Sequence, residues 1–419
     1  MPAGSSTPNI VFVHVDQMRH DAIAALGNPH LRTPNIDQIL AKGTSFMLSH
    51  SANPVCCPAR ASWYTGRVST EHGVVQNSLP LLESIPDLGQ WMGTRGYACY
   101  YTGKWHIPNR RVDKSFTVLP GGSGHGERGD AGVASAAAGF LSRYDGKRPF
   151  FLNVGFLDPH DCCFLTFAPE NPCIKFGSAS LLRDELPPAP ASFDAKGGTT
   201  SAEGGQWDET QVRLYNYYYY RMVEMVDAEV GRIYTALRSS LYANNTLFIL
   251  TADHGEMGGS HGLFKKSQFY DPALRVPVAC VFPNRVRTGT RDDEHLVSGV
   301  DIPATILDYA GIEPMPRMTI ARSLRPLLEG NPVEWRDYVV AESTISRTPY
   351  RTVRTRDFKA IFYPDGGTAL YNMREDPLEM RNLSTDPGYA ETLGDLRDLH
   401  NQYVGRIVLH PKYQSSGKV

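Results

Sequence analysis

Residues Asn9-Ile10-Val11-Phe12-Val13-His14-Val15 form an unbroken apolar run that stops at Asp16-Gln17. A run this short, without polar alternation, fits a strand buried on both faces, as in a parallel sheet, better than a helix. Residues 150–157 (FFLNVGFL) and 246–251 (TLFILT) read the same way. Helical patterns lie between the runs, at 37–42, at 84–95 and over 210–239. In the last, Val212, Tyr215, Val223, Val226, Val230, Ile233 and Leu237 keep an apolar stripe. Strands alternating with helices predict an α/β layered fold.

In open α/β sheets, ligands sit beyond the carboxyl ends of the strands. Asp16-Gln17 follows the first run, Asp158-Pro159-His160 the second and Asp253-His254-Gly255 the third. Thr102-Gly103-Lys104-Trp105-His106 follows a fourth short strand at 98–101. Four endings in carboxylates, imidazoles or a lysine point to one site. Asp16, Gln17, Asp253 and His254 offer two carboxylates, an amide oxygen and an imidazole. Hard oxygen donors suit Ca²⁺ or Mg²⁺, and the imidazole also admits Mn²⁺, Fe²⁺ or Zn²⁺. Taken singly, Asp16 and Asp253 could equally cap helices.

The chain has 419 residues and a net charge of −2, enough for two or three domains at roughly 150 residues each. Balanced charge argues against a nucleic-acid partner. A hydrophobic content of 41% argues against disorder, and no run is long enough to span a membrane. Met1 to Thr7 shows no basic or apolar leader, which predicts a cytoplasmic protein as written, or a periplasmic or secreted one if a leader was trimmed. Seven cysteines, two pairs of them adjacent, predict mostly reduced thiols; Cys162, Cys163 and Cys173 are read as buried or locally bridged. Residues 167–205, rich in Pro, Gly, Ser and Ala, predict an irregular excursion of the kind that shapes substrate sites. After residue 334 the texture changes to short strands at 335–340, 350–355, 359–363 and 369–371 and a helix at 389–404. The expected division is a catalytic domain over 1–334 and a small sheet-and-helix subdomain over 335–419.

Cys56-Cys57-Pro58-Ala59-Arg60 followed by Ala61-Ser62-Trp63-Tyr64-Thr65-Gly66-Arg67 resembles the sulfatase signature, Cys-x-Pro-x-Arg and then Thr-Gly-Arg. Other segments resemble the family in its own order: Asp16-Gln17 and Asp253-His254 as metal pairs, Gly103-Lys104-Trp105-His106, Pro159-His160, and His261-Gly262 with Lys266. Leu370-Tyr371-Asn372 and Glu375-Asp376-Pro377 resemble its C-terminal signature. The resemblance implies an alkaline-phosphatase-like fold: a large mixed sheet between helices, with a small C-terminal antiparallel sheet plus helix. It also implies that a formylglycine-generating enzyme oxidises Cys56 to formylglycine. The hydrate of that residue, held on one divalent metal, attacks the sulfur of a sulfated small molecule or glycan and later expels sulfate.

By the same resemblance, Asp16, Gln17, Cys56, Asp253 and His254 hold the metal, Ca²⁺ first, with Mn²⁺, Mg²⁺ or Zn²⁺ also admitted. Arg60 supports the diol, Lys104 and Lys266 bind sulfate oxygens, His106 deprotonates the diol and His160 protonates the leaving alcohol. Pro58 suits the first turn of a helix over 59–64, with Cys56 just ahead of its N-terminus, where free N–H groups favour an anion. Asn77 either contacts substrate or serves a turn. His14, facing the same side of its strand as Asp16, packs or supports from behind. Many sulfatases have Asp-Asp and Asp-Asn as metal pairs. Gln17 and His254 depart from that and recur in phosphonate monoester and phosphodiester hydrolases of the superfamily, the main rival reading. A catalytically silent binding homologue is the other.

Overall fold

A computed structural model describes residues 7–122, 124–164, 186–193, 199–200, 206–345 and 348–414. Most of the excursion expected at 167–205, Cys173 included, lies outside the described residues. In chain order the strands are β1 (Asn9–Asp16), β2 (Thr44–Phe46), β3 (Ser49–His50), β4 (Ala98–Gly103), β5 (Thr117–Val118), β6 (Phe150–Pro159), β7 (Thr199–Thr200) and β8 (Gln206–Trp207). They continue as β9 (Thr246–Ala252), β10 (Val278–Val281), β11 (Thr290–Asp292), β12 (Val297–Ser298), β13 (Tyr338–Ile345), β14 (Thr348–Thr355), β15 (Phe358–Phe362) and β16 (Thr368–Asn372).

The eight-stranded sheet has the order β11-β2-β10-β9-β1-β6-β4-β5. It is mixed: β1 runs parallel to both β6 and β9, β4 is parallel to β6, and β10 is antiparallel to β9. All three apolar runs are therefore central strands. Every residue of β1 and β9 is buried, which is why neither alternates with polar residues. Along β1, Ile10 and Phe12 face one core, with Trp63, Tyr64 and Ile306, whereas Val11, Val13 and Val15 face the other, with Val223, Val226 and Val230. Helices Pro34–Lys42, Gly126–Arg143 and Glu209–Arg238 cover the second face; Cys56–Thr65 and Asp301–Ala310 cover the first.

Parallel register brings the strand ends together: Asp16 pairs with Pro159, Val15 with Ala252, and Gly103 with Gly155. The polar segments read as strand endings thus emerge on one edge. Helix Leu88–Gly93 is shorter than the pattern at 84–95, because Asp87 caps it by accepting from Gln90 N–H at 3.0 Å.

The strands β13-β14-β15-β16 form an antiparallel meander. One face packs Val340, Val353, Ala360 and Leu370 against Leu396 and Tyr403 of helix Ala390–Arg406. Its other face packs Ala341, Tyr350, Ile361 and Tyr371 against Phe269 and Leu274, in the segment that follows β9. The first strand starts at Tyr338 and runs to Ile345, later than the pattern at 335–340, because the Trp335 indole is held by Leu296 O at 2.8 Å outside the meander. No described helix is long and apolar enough to cross a membrane.

Candidate active site

Asp16 ends β1 and Asp253 follows β9, so the fold delivers two carboxylates to one buried point. Arg60, on helix Cys56–Thr65, lies between them with no exposed side-chain surface. Its Nη2 donates to Asp16 Oδ2 at 3.0 Å and its Nε to Asp253 Oδ2 at 2.9 Å. Nη1 donates to Lys104 O at 2.8 Å and faces His14 Nδ1 at 3.3 Å. Burial, with Arg60 beside it, pushes the His14 imidazole well below its ordinary range, so it is neutral and its Nδ1 accepts. The proton then sits on Nε2, which faces Tyr64 Oη at 3.2 Å, and Tyr64 in turn donates to Asn153 Oδ1 at 3.3 Å. His14 acts from behind Arg60, one of the two readings its strand position allowed.

The motif helix starts at Cys56 itself, not after it: Ala59 N–H bonds Val55 O at 3.0 Å and closes the first turn there. Pro58 still occupies that turn, where its missing N–H costs no bond. Asn77 Oδ1 accepts from Cys57 N–H at 3.0 Å, fastening the helix start. The Cys56 Sγ lies 3.1 Å from His254 Nε2 and 3.8 Å from Asp16 Oδ1. His254 Nδ1 is 2.9 Å from Gly255 O, to which it donates, so Nε2 is the nitrogen turned inward.

Donor atoms of Asp16, Cys56, Asp253 and His254 all lie within 4.8 Å of one another and are buried. Each carboxylate gives Oδ2 to Arg60 and keeps Oδ1 for this cluster. Burial opposes a charge on His254, but Asp253 and Cys56 outweigh it and lift the imidazole to about 9. Two carboxylates around an inward imidazole nitrogen fit a divalent cation. Gln17 meets the cluster through its backbone, whose N–H donates to Asp253 Oδ1 at 3.0 Å. Its side chain goes elsewhere: Oε1 accepts from Lys266 Nζ, and Nε2 donates to Glu256 Oε2 at 2.5 Å and approaches Cys163 Sγ at 3.2 Å.

Cations and imidazoles ring this floor. Lys104 Nζ binds Asp16 Oδ2 at 2.7 Å and is 14% exposed. Burial works against the Asp16 carboxylate, yet Lys104 and Arg60 hold it well below the usual range. His106, with φ 56°, is raised to about 9 by its hydrogen bonds to Cys56 and Cys57. For Lys266, burial is outweighed by Cys56, Cys163, Asp16 and Asp253, which keep the ammonium charged. His160 is 18% exposed, with its Nδ1 4.0 Å from Asp161 Oδ1. The His160 side chain interacts electrostatically with Asp16 and Cys163. Cys162 and Cys163 are free thiols.

Two residues escaped the reading of the sequence. Glu256 is fully buried and accepts from Gln17 Nε2, Gly258 N–H and Lys265 N–H. Its signal was adjacency to the Asp253-His254-Gly255 segment. Tyr219, in the middle of helix Glu209–Arg238, donates its hydroxyl to Gln17 O at 2.8 Å.

The profile of the family described as Sulfatase matches residues 8–312, and that of "N-sulphoglucosamine sulphohydrolase, C-terminal" matches residues 259–404. A Delta 4,5-hexuronate-2-O-sulfatase of Bacteroides thetaiotaomicron is 28% identical over 95% of this chain and 89% of that protein. An arylsulfatase of Clostridium perfringens is 26% identical over 94% of this chain and 93% of that protein. A solved 2-O GAG sulfatase superposes with a TM-score of 0.83 at 26% identity, covering 96% of this chain and 92% of that one.

Proposed function

The chain belongs to the sulfatase family and is a sulfuric ester hydrolase, and from that premise we propose that it removes a sulfate group from a sugar or glycan. The substrate class is supported by the relative named for a hexuronate 2-O-sulfate. The observation that carries the site assignment is the convergence of Asp16, Cys56, Asp253 and His254 within 4.8 Å at the start of the motif helix. These four would hold one divalent ion, with Gln17 at its border. Ca²⁺ is our first choice, given the two hard carboxylate oxygens.

When present, formylglycine at position 56 supplies an attacking hydroxyl and the divalent ion makes that hydroxyl more acidic. The chain's own residues do the rest. Lys104 and Lys266 neutralise the sulfate oxygens, compensating charge that builds in the transition state. His160 donates a proton to the leaving alcohol oxygen. His106 faces the residue-56 side chain; its raised value depends first on the Cys56 thiol, and once formylglycine replaces that thiol the neutral imidazole takes up a proton from the residue. Arg60 holds both carboxylates and leaves one oxygen of each for the cation.

Coexpression with a formylglycine-generating enzyme, followed by mass spectrometry of tryptic peptide 43–60, should find the aldehyde at Cys56. The matured protein, assayed in parallel on sulfated sugars, a phosphonate monoester and a phosphate diester, should favour a sulfate ester. Preference for either phosphorus substrate by orders of magnitude would overturn the reading, as would turnover unchanged by Cys56→Ala. Elemental analysis of the purified protein should find about one equivalent of calcium; stoichiometric manganese or zinc instead would overturn the choice of ion.

A further inference from the structure

Lys266 sits on a backbone that does not hold itself. Lys265, with φ 65°, and Ser267, with φ 80°, flank it in the left-handed region that non-glycine residues rarely occupy. Such conformations persist where their surroundings over-determine them. On one side, Lys265 N–H donates to Glu256 Oε1 at 2.6 Å, and Lys265 O accepts from Met257 N–H at 2.8 Å. On the other, Ser267 N–H donates to Pro54 O at 2.9 Å, in the loop just ahead of Cys56.

The remaining group is the Ser267 carbonyl, and it is met by the C-terminal sheet. Tyr350 Oη donates to it at 3.1 Å, and Ser343 Oγ lies 3.4 Å away. Ser343 and Tyr350 are direct cross-strand partners on β13 and β14, both buried, so one register pair aims two hydroxyls at one carbonyl. The same sheet face packs Tyr350 on Phe269, ring centroids 4.5 Å apart, two residues beyond Ser267. The Ser267 peptide is thus clamped between the loop that leads into Cys56 and a sheet more than seventy residues further along the chain.

We propose that Tyr350 and Ser343 are positioning residues that fix the ammonium of Lys266 relative to Cys56, so that the C-terminal sheet sets the affinity of the centre for the sulfate group. This rests on the reading of Lys266 as a sulfate contact. Neither residue touches substrate; both act through the Ser267 carbonyl.

A double-mutant cycle on the matured enzyme tests it, with inorganic sulfate as the probe. Inhibition by sulfate, kcat and KM are measured for wild type, Tyr350→Phe, Lys266→Ala and the double variant, alongside the thermal midpoint. Tyr350→Phe should weaken sulfate inhibition about fivefold, the worth of one hydrogen bond. In the Lys266→Ala background the same substitution should change it less than about twofold, because the group being positioned is gone. Should Tyr350→Phe lower the thermal midpoint too far to assay, Ser343→Ala is expected to show the same pattern with a smaller change. Unchanged sulfate inhibition in Tyr350→Phe, beside a large loss in Lys266→Ala, would overturn the positioning role. An equal loss in both backgrounds would also overturn it, by showing a general structural effect. Wild-type sulfate inhibition in Lys266→Ala is a different failure, that of the sulfate assignment for Lys266 itself.

Discussion

The floor and the rim of the active centre are built on different physics. Arg60, Asp16 and Asp253 have no exposed side-chain surface, and every charge there meets an opposite one within about 3 Å. Lys104 and Lys266 are only partly buried and His106 is exposed, and the backbone at or beside His106 and Lys266 is left-handed. Removing a floor charge strands its partners in a desolvated interior, whereas water can reach the rim and replace a lost side chain. Stability and activity should therefore move together on the floor and separately at the rim.

Cys56→Ala in the matured enzyme should lower sulfate-ester turnover on the order of a thousandfold or more without unfolding it, as followed by steady-state rates and circular dichroism. Arg60→Ala should remove activity and also cost about 3–5 kcal/mol, because it leaves Asp16 and Asp253 buried and unpaired. Urea denaturation reads that directly, and a loss below about 1 kcal/mol would erase the distinction between floor and rim. Lys104→Ala should lower kcat/KM about a hundredfold. Its unfolding free energy should change by less than about 1 kcal/mol, since Asp16 keeps Arg60; a stability loss matching that of Arg60→Ala would place Lys104 on the floor.

The smallest effect concerns Asp158, beside the rim. Both of its carboxylate oxygens are buried, and burial, then Asp130, Asp161 and Glu127, push it from 3.8 to about 8 against the backbone N–H of Asp161. Because the folded value lies above the unfolded one, the stability this group confers is complete below pH 4 and is lost as pH rises through about 8. Asp158→Asn should flatten that slope, gaining about 1 kcal/mol or more at pH 9 relative to wild type. Thermal midpoints from pH 5 to 9 check it, and parallel curves for the two proteins would show that Asp158 is not the source.

Much of the floor was legible along the chain. β1 and β9 are continuous apolar runs because both faces of each are covered, and a carboxylate directly after such a run has few places to point except the sheet edge. The twelve residues from Cys56 to Arg67 identify the family by themselves. The rim was legible as residue types but not as contacts. Nothing around Gln17 shows that its amide turns to Glu256, 239 positions away, and to Lys266, 249 away. Likewise, Asn77 looked like a turn or substrate residue, yet its carbonyl oxygen holds the Cys57 N–H. The helix boundary at Cys56 also depended on context, because Val55 lacks a capping side chain and the first turn is closed by a backbone bond.

The sequence by itself determined the buried strands, the polar residues that end them and the motif around Cys56, because hydrophobic periodicity and local spacing are properties of neighbouring residues. Tertiary structure alone decided which carboxylate oxygens Arg60 takes, why the Gln17 side chain turns away, and how the C-terminal sheet grips the peptide beside Lys266. Those outcomes depend on satisfying every buried charge and hydrogen bond at once, with partners that come from distant segments of the chain.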